Sequence, residues 1–529
     1  MTPTAADGAS RGRVVMLVDN GVTGDSRVQK SARSAAAQGW EVILLGRSPS
    51  GLPETWRLGE AEVRLLPVPA TLARQRHEYR RRWLRAPLAY PPGGLAAHRR
   101  QWVRAWKADL RLRAARSASP RLRAEEVAAG WLERWVEFRA AQQRRAPRTL
   151  HGPWDRAWTA FWQRVMGDRA WRRLAPGLWD WEVAFGPVID RLAPDLIHAN
   201  DFRMLGVGAR AKIRARAKGR TIKLVWDAHE FLPGVRPVAH NARWLPAHVA
   251  HEREYAPHAD AVLTVSDSLA ELLRTTHGLR ELPTVVLNAP EALPAEARES
   301  DGGAVPDLRT RCGVGPEVPL IVYSGAAAEQ RGLGTMIEAL PQLDGVHAAF
   351  VVNRPDGPYV QGLLARAAEL GVADRVHVLP YVPHWQVVPF LASADVGVIP
   401  IHHWPNHEIA LITKFFEYSH ARLPLVVSDV QTMAATVRST GQGEVFRADD
   451  VDDHVRALRL VLADPQRYRE AYERPGLLSG WTWEAQATVL DELYSRLLPS
   501  AQDGRPGRTA RADEPDVRHH VEASSSLST

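Results

Sequence analysis

The feature that most constrains this chain is an alternation of short apolar strands with helices, which runs through it in two blocks. The first block opens with an apolar run over 13–18, then a polar, glycine-containing loop over 19–25. A helix is predicted over 27–38, with Val28, Ala32, Ala35 and Ala36 on one face and Gly39 as its stop. A second strand follows at 41–45 and a third at 63–68. The alternation resumes with a strand at 195–198, a helix at 205–217 and a strand at 222–226. A strand at 259–265 leads to a helix capped by Ser266 or Asp267, and a strand at 284–287 ends at Asn288. Strands joined through helices in this way form a parallel sheet.

A stretch rich in Glu, Ala, Pro and Gly over 291–319 suits an interdomain hinge. Beyond it the pattern repeats, with strands at 320–323, 348–353, 376–379, 396–400 and 425–428. Helices are predicted at 335–343, 414–421, 451–463 and 483–497. The expected fold is therefore α/β, with two Rossmann-like domains. The first spans 13–295 and the second 316–478, with a closing helix over 479–498 and a polar, disordered tail over 499–529. A length of 529 residues agrees with two or three domains.

The segment 72–192 has a different texture and reads as a helical insertion in the first domain. Eleven of the nineteen tryptophans fall between Trp83 and Trp181, so its aromatic content needs an explanation. Trp102 with Trp106, Trp131 with Trp135, and Trp154 with Trp158 and Trp162 share helix faces at i, i+4 spacing. Two readings are open. The tryptophan faces pack on one another, or they form a surface for a membrane or an acceptor, with Arg80-Arg81-Arg82 and Arg99-Arg100 meeting anionic lipid heads.

The formal net charge of +8 would suit any anionic partner. Zinc-ligand spacing, a P-loop and nucleic-acid signatures are all missing from the sequence, so nucleic acid is not expected as a partner. The single cysteine, Cys312, excludes an internal disulfide. The first twelve residues lack a signal-peptide core, and 14–18 is far too short to span a bilayer. A cytoplasmic location is expected, with a peripheral position at the inner face of the membrane left open.

Parallel sheets bind ligands beyond the carboxyl ends of their strands. Two such loops stand out. Ser324-Gly325-Ala326-Ala327-Ala328-Glu329-Gln330-Arg331-Gly332-Leu333 connects a strand to a helix. Its glycines let backbone amides approach a phosphate, and Arg331 supplies a cation with bidentate geometry. The second loop leads through Ile412 and Thr413 into Lys414-Phe415-Phe416-Glu417-Tyr418. A carboxylate at Glu417 suits two ribose hydroxyls, while Lys414 and the helix-start amides suit a diphosphate. Each loop alone reads equally well as a structural turn or a surface pair.

Together the segments resemble retaining glycosyltransferases of the GT-B fold, family 4 (group 1). The matching pieces occur in the family's order: Asp25-Ser26-Arg27-Val28 with Gly39-Trp40-Glu41-Val42; Asp227-Ala228-His229-Glu230; Gln330-Arg331-Gly332-Leu333; Thr413-Lys414-Phe415-Phe416-Glu417-Tyr418; and Trp481-Thr482-Trp483-Glu484. The resemblance extends from Val14 to about Leu498, apart from the insertion. It implies a cleft between two domains and a final helix that crosses back to the first. It implies transfer of a sugar from a nucleotide-diphosphate donor to a glycan or lipid-linked acceptor, in cell-surface polysaccharide or glycolipid synthesis, without a cofactor or catalytic metal.

By the same resemblance His229 contacts the transferred sugar. Arg331 and Lys414 neutralise the leaving diphosphate and Glu417 holds the ribose. Gly325, Gly332, Ile412 and Thr413 shape the phosphate site, and Asn20 and Gly21 in the first loop approach donor phosphate or acceptor. Three positions depart from the pattern. Relatives often carry a second glutamate eight residues before Glu417, where this chain has Ile409, with Glu408 one position off. Ala326 stands where a basic residue is common, and Arg422 where glycine is. Two alternatives accompany this reading: a nucleotide-sugar epimerase of the same architecture, and a non-catalytic nucleotide-sugar-binding protein.

Overall fold

The computed structural model describes residues 11–70, 72, 87–91, 94–116, 119–145, 150–235, 241–291, 307–383 and 386–499. Arg80-Arg81-Arg82, most of the hinge stretch and the tail beyond 499 lie outside the described residues.

The first sheet has eight strands: β1 (Arg13–Leu17), β2 (Glu41–Arg47), β3 (Glu54–Leu58), β4 (Ala61–Leu66), β5 (Leu196–Asn200), β6 (Lys223–Asp227), β7 (Ala261–Thr264) and β8 (Thr284–Val285). Their order is β3-β4-β2-β1-β5-β6-β7-β8. All neighbours pair in parallel except β3 with β4. β1 is central and covered on both faces, which is why it reads as an unbroken apolar run. β3 escapes a pattern reading because Glu54-Thr55-Trp56-Arg57-Leu58 is an edge strand with no fully buried residue, only Trp56 and Leu58 resting against the core.

The second sheet is wholly parallel. It contains β9 (Leu320–Ser324), β10 (His347–Val352), β11 (Val376–Pro380), β12 (Val396–Ile399), β13 (Leu425–Ser428) and β14 (Gly443–Phe446), in the order β11-β10-β9-β12-β13-β14.

The helices that bear on function are numbered in chain order. α1 is Ser26–Ala37. α2 (Leu95–Arg116) and α3 (Pro120–Arg145) form a hairpin with a small core of its own, built on Val103, Val136 and Ala140. α4 (Pro153–Met166) places Trp158 and Trp162 against the main core of the first domain. α5 (Leu178–Leu192) buries Phe185 and Ile189 within that core. By packing, then, the segment 72–192 divides into a separate hairpin and helices integrated with the sheet. α6 is Asp201–Ala217 and begins four residues before the predicted helix, since the chain turns directly from β5 through Asp201 at φ 65°. α7 (Asp267–His277) is capped by Ser266, whose hydroxyl accepts from the Leu269 amide.

In the second domain α8 is Thr413–His420 and α9 is Gln431–Thr440. α10 (Trp483–Leu497) returns to the first domain. There Trp483, Leu490, Leu493 and Tyr494 share a core with Val14, Met16, Val28 and Trp40. The indole of Trp483 donates to Ser34 Oγ at 2.8 Å, and that of Trp40 donates to Asp491 at 2.7 Å. The domains also touch across the cleft. The Phe231 amide donates to Asn406 Oδ1 at 2.9 Å, and Asn288 Nδ2 donates to Thr413 Oγ1 at 2.9 Å.

Candidate active site

A cavity of about 830 Å³ lies where the carboxyl ends of the two sheets face each other. Its first wall is the loop after β1 and the start of α1. Asn20 shapes that loop: its Oδ1 accepts from the Val22 amide at 2.8 Å, and its Nδ2 donates to Asp25 at 2.7 Å. Asp25 in turn caps α1 by accepting from the Val28 amide. Asn20, Thr23 and Asp25 line the cavity, whereas Gly21 is not part of the wall. A Cβ at Gly21 would meet Pro49 Cγ at 3.0 Å, so its smallness serves packing behind the loop.

His229, from the loop after β6, also lines the cavity. Its Nε2 lies 3.1 Å from Asp227 Oδ2, at the end of β6. Asp227 is buried and accepts two hydrogen bonds from Arg27, both at 2.9 Å. His198 Nε2 stands 3.3 Å from the same carboxylate, and its Nδ1 is 2.5 Å from the Tyr494 hydroxyl on α10. Burial opposes charge on Asp227, yet Arg27 and the two histidines hold its pKa well below the usual carboxylate range. Burial likewise disfavours an imidazolium at His229, but the Asp227 carboxylate outweighs it and raises the pKa. Nearby, burial pushes the Asp201 carboxyl up to about 7, with the His229 charge opposing. Asp201 is not a side-chain cap of α6; the residue before the helix is Asn200, and Asp201 Oδ1 accepts from the next amide, that of Phe202.

The second wall comes from the loops after β9 and β12. Gly325, Gln330 and Arg331 line it, with Leu411, Ile412, Thr413 and Lys414 opposite. A Cβ at Gly325 would sit 2.5 Å from Lys414 Nζ, so glycine is what lets the lysine lie there. Gly332 is outside the wall but has φ +66°, and a Cβ there would come within 1.8 Å of the Pro400 carbonyl. Its role is to press the β9 loop against the end of β12. α8 starts without a capping side chain, which leaves first-turn amides available to an anion.

Lys414 is buried. Its Nζ lies 4.0 Å from the ring centre of Tyr323 and donates to the Tyr323 hydroxyl at 2.8 Å. That hydroxyl donates to the Ala326 carbonyl at 2.8 Å. Burial, reinforced by Arg331, lowers the Lys414 pKa well below that of a free lysine, while Glu417 opposes. Glu417 is one turn along α8 and does not line the cavity itself. Burial raises its pKa, against the pull of Lys414 and Lys30. Lys30, on α1, donates to the Ala289 carbonyl at 2.5 Å and sits 4.7 Å from the Trp483 ring centre. Burial lowers its pKa to about 8.

The departures at Ile409 and Arg422 can be placed in the structure, whereas nothing in it explains Ala326. Glu408 does not substitute for the missing glutamate. One oxygen pairs with His403 Nδ1 at 2.6 Å, and the other accepts from the Gln431 amide at 2.7 Å, at the start of α9. Ile409 packs against the first domain's core, and its carbonyl accepts from the Ser266 hydroxyl. Arg422 adopts φ 55°, the left-handed conformation that makes glycine common there. His402 pairs with Asp449 at 2.8 Å and His403 with Glu408 and Asp429; neither lines the cavity.

Tyr323, Lys30, His198 and Tyr494 were not singled out by the sequence reading. His198 carried a usable signal, a polar side chain in the middle of a buried central strand. Tyr323 and Tyr494 look like ordinary core aromatics in sequence.

Two largely parallel α/β sheets facing a shared cavity, with a helix returning to the first domain, define the GT-B fold. The group 1 glycosyl transferase model matches residues 307–475, and the glycosyltransferase family 4 model matches 165–289. The D-inositol 3-phosphate glycosyltransferase of Nocardia farcinica is 26% identical over 330 residues, covering 59% of this chain and 69% of that protein. The GDP-mannose-dependent alpha-(1-6)-phosphatidylinositol monomannoside mannosyltransferase of Mycolicibacterium smegmatis is 26% identical over 321 residues, covering 58% and 80%. Sucrose-phosphate synthase from Thermosynechococcus elongatus superposes with a TM-score of 0.58 at 16% identity, over 92% of this chain and 98% of that one. Anabaena HepE, solved with UDP-glucose, gives 0.53 at 14% identity, over 92% and 100%. The two models match in chain order over segments that together make up more than half of the chain, and the chain is an enzyme of glycosyl transfer from nucleotide sugars. The epimerase alternative is not favoured, since these relatives transfer sugars.

If Lys414 meets the donor's diphosphate, binding is coupled to protons. Burial and Arg331 lower its pKa; two phosphate charges raise it again. Above the lowered value, donor binding takes up protons, and affinity falls as pH rises. Calorimetry in buffers of different ionisation enthalpy reads the uptake, which Lys414→Arg should abolish because guanidinium stays charged.

Proposed function

We propose that the enzyme transfers a sugar, with retention at the anomeric carbon, from a nucleotide-diphosphate donor to a glycan or lipid-linked acceptor. The observation that carries this reading is the placement of Arg331, Lys414 and His229 on one cavity between the sheets. Breaking a glycosyl phosphate develops negative charge on the diphosphate, and fixed cations with helix-start amides stabilise it. Arg331, Lys414 and the amides at Ile412 and Thr413 supply that set. Glu417 accepts the ribose hydroxyls once the donor is seated. His229, held by Asp227, faces the sugar, and the leaving phosphate takes the acceptor's proton. The loop at Asn20 closes the acceptor side.

The relatives named for inositol phosphate and phosphatidylinositol mannoside acceptors, and HepE with its UDP-glucose, support the nucleotide-sugar donor and a polar or lipid-linked acceptor. With Ile409 apolar and Glu408 engaged elsewhere, sugar hydroxyls rely on backbone amides and His229. Peripheral contact with an anionic membrane, where a lipid-linked acceptor would be met, belongs to the same reading; no described helix is long and apolar enough to cross a membrane.

The direct test is a donor screen reading nucleoside diphosphate release, with soluble and lipid-linked acceptors in parallel. Glu417→Ala should weaken donor binding about 10- to 100-fold, the worth of hydrogen bonds to a charged group. Unchanged affinity would remove Glu417 from the site.

A further inference from the structure

We infer that the α2–α3 hairpin is a docking surface for anionic lipid. The inference deepens the membrane part of the proposed function, but its observations are independent of the cleft.

The hairpin packs chiefly on itself. Arg100 pairs with Glu137, Lys107 with Glu133, and Arg113 with Glu125, so positions advance on one helix as they recede on the other. The two helices are therefore antiparallel. Val103 and Val136 face inward. Trp102 and Trp135 each precede an inward-facing valine by one residue, a step of roughly 100° around the helix. In antiparallel helices that step turns both side chains to the same side. Arg100, Lys107, Glu133 and Glu137 occupy the opposite side, paired with one another. One face is thus ionic and self-satisfied, and the other is aromatic.

The aromatic face is open to solvent. Val127, Trp131, Trp135 and Phe138 recur at three- and four-residue steps along α3 and are 62%, 67%, 45% and 43% exposed. Trp102 on α2 is 48% exposed and lies 5.8 Å from Trp106, centre to centre. Trp135 stacks on Phe138 at 5.7 Å, and the Arg134 guanidinium lies 5.5 Å from the Trp131 ring centre. A row of exposed tryptophans is not explained by packing within the hairpin, whose core is Val103, Val136 and Ala140. A contiguous apolar face of this kind marks an interaction surface.

Charge identifies the occupant. The two helices carry thirteen Lys and Arg against five Asp and Glu, a net +8 equal to that of the whole chain. The rest of the sequence is therefore balanced, and the positive excess is equal to that of these two helices. A second copy presenting the same face would bring like charges together. Tryptophans at headgroup depth with arginines reaching lipid phosphates fit both the aromatic row and the excess.

The test uses the full chain with vesicles of phosphatidylcholine alone and of phosphatidylcholine with phosphatidylglycerol, followed by flotation. Binding is expected only with phosphatidylglycerol and should weaken as salt rises from about 0.1 M to about 0.5 M. Trp131→Gln/Trp135→Gln/Phe138→Gln should lower vesicle partitioning about tenfold or more. The same variant should keep its thermal midpoint and its nucleotide release on a soluble acceptor. Equal partitioning of variant and wild type, or no phosphatidylglycerol dependence, would overturn the proposal while leaving the cleft assignment standing. So would a vesicle-free dimer that the triple substitution disperses, since it would make this face a protein interface. Wild-type protein that floats with phosphatidylglycerol vesicles but releases no nucleotide from any donor would instead count against the cleft alone.

Discussion

Arg331→Ala should lower nucleoside diphosphate release about 100- to 1000-fold, the cost of removing one preorganised group from a developing anion. Two cations serve the proposed diphosphate site, but they are not equivalent. Lys414 is buried against the Tyr323 ring, and burial lowers its pKa well below that of free lysine. Arg331 brings a planar guanidinium with a fork of donors. Arg331 is therefore the bidentate contact of the site, and Lys414 the cation the donor must recharge. Arg331→Lys should recover only part of the rate, since a lysine offers no planar fork to two phosphate oxygens. Steady-state assays at saturating donor distinguish a lost transition-state contact from lost binding. Wild-type turnover in Arg331→Ala would overturn the assignment of the diphosphate site.

The largest effect on stability should come from Asp227→Ala, at about 3–5 kcal/mol, because it leaves Arg27 buried without its partner. Asp227 and Arg27 are 1% and 4% exposed and share two hydrogen bonds of 2.9 Å. The midpoint of thermal unfolding should drop on the order of 10 °C. Adding Arg27→Met should return part of the loss, since an apolar pair of similar volume removes the stranded charge. Failure of the double variant to recover would show that the carboxylate matters more through His198 and His229 than through Arg27. The pH dependence has a definite sign. The Asp227 pKa is depressed in the folded protein, so its contribution is present above the ordinary carboxylate range and is lost as pH falls through the depressed value.

Most of the fold was legible because burial on both faces leaves a strong mark. Central strands such as β1 and β9 are unbroken apolar runs, and helices α8 and α10 announce themselves by spacing and by the motifs at their starts. Of the edge strands, β8 and β11 were legible and the other two were not. β3 exposes most of its side chains and β14 has only four residues, so neither shows a buried period. The insertion was legible in composition but not in partition. Trp158 and Trp131 look alike in sequence, yet one packs on the core and the other faces solvent.

The same contrast holds at the site. Arg331, Lys414 and His229 could be named because their motifs are local. Their supports could not, because they come from distant segments. Tyr323 lies 91 residues from Lys414, and Tyr494 lies 296 from His198. Glu408 shows the reverse error that spacing invites: a carboxylate one residue out of phase faces a different neighbour altogether.

The return of α10 to the first domain has a consequence for the order in which the molecule is made. The core around Val14, Val28 and Trp40 is completed by Trp483, Leu490 and Tyr494. The amino-terminal sheet emerges first during synthesis, but it keeps an open apolar seam until nearly all of the chain has left the ribosome. Its last packing partner arrives only after the second domain has been translated. A nascent chain stopped anywhere in that interval presents unsealed hydrophobic surface.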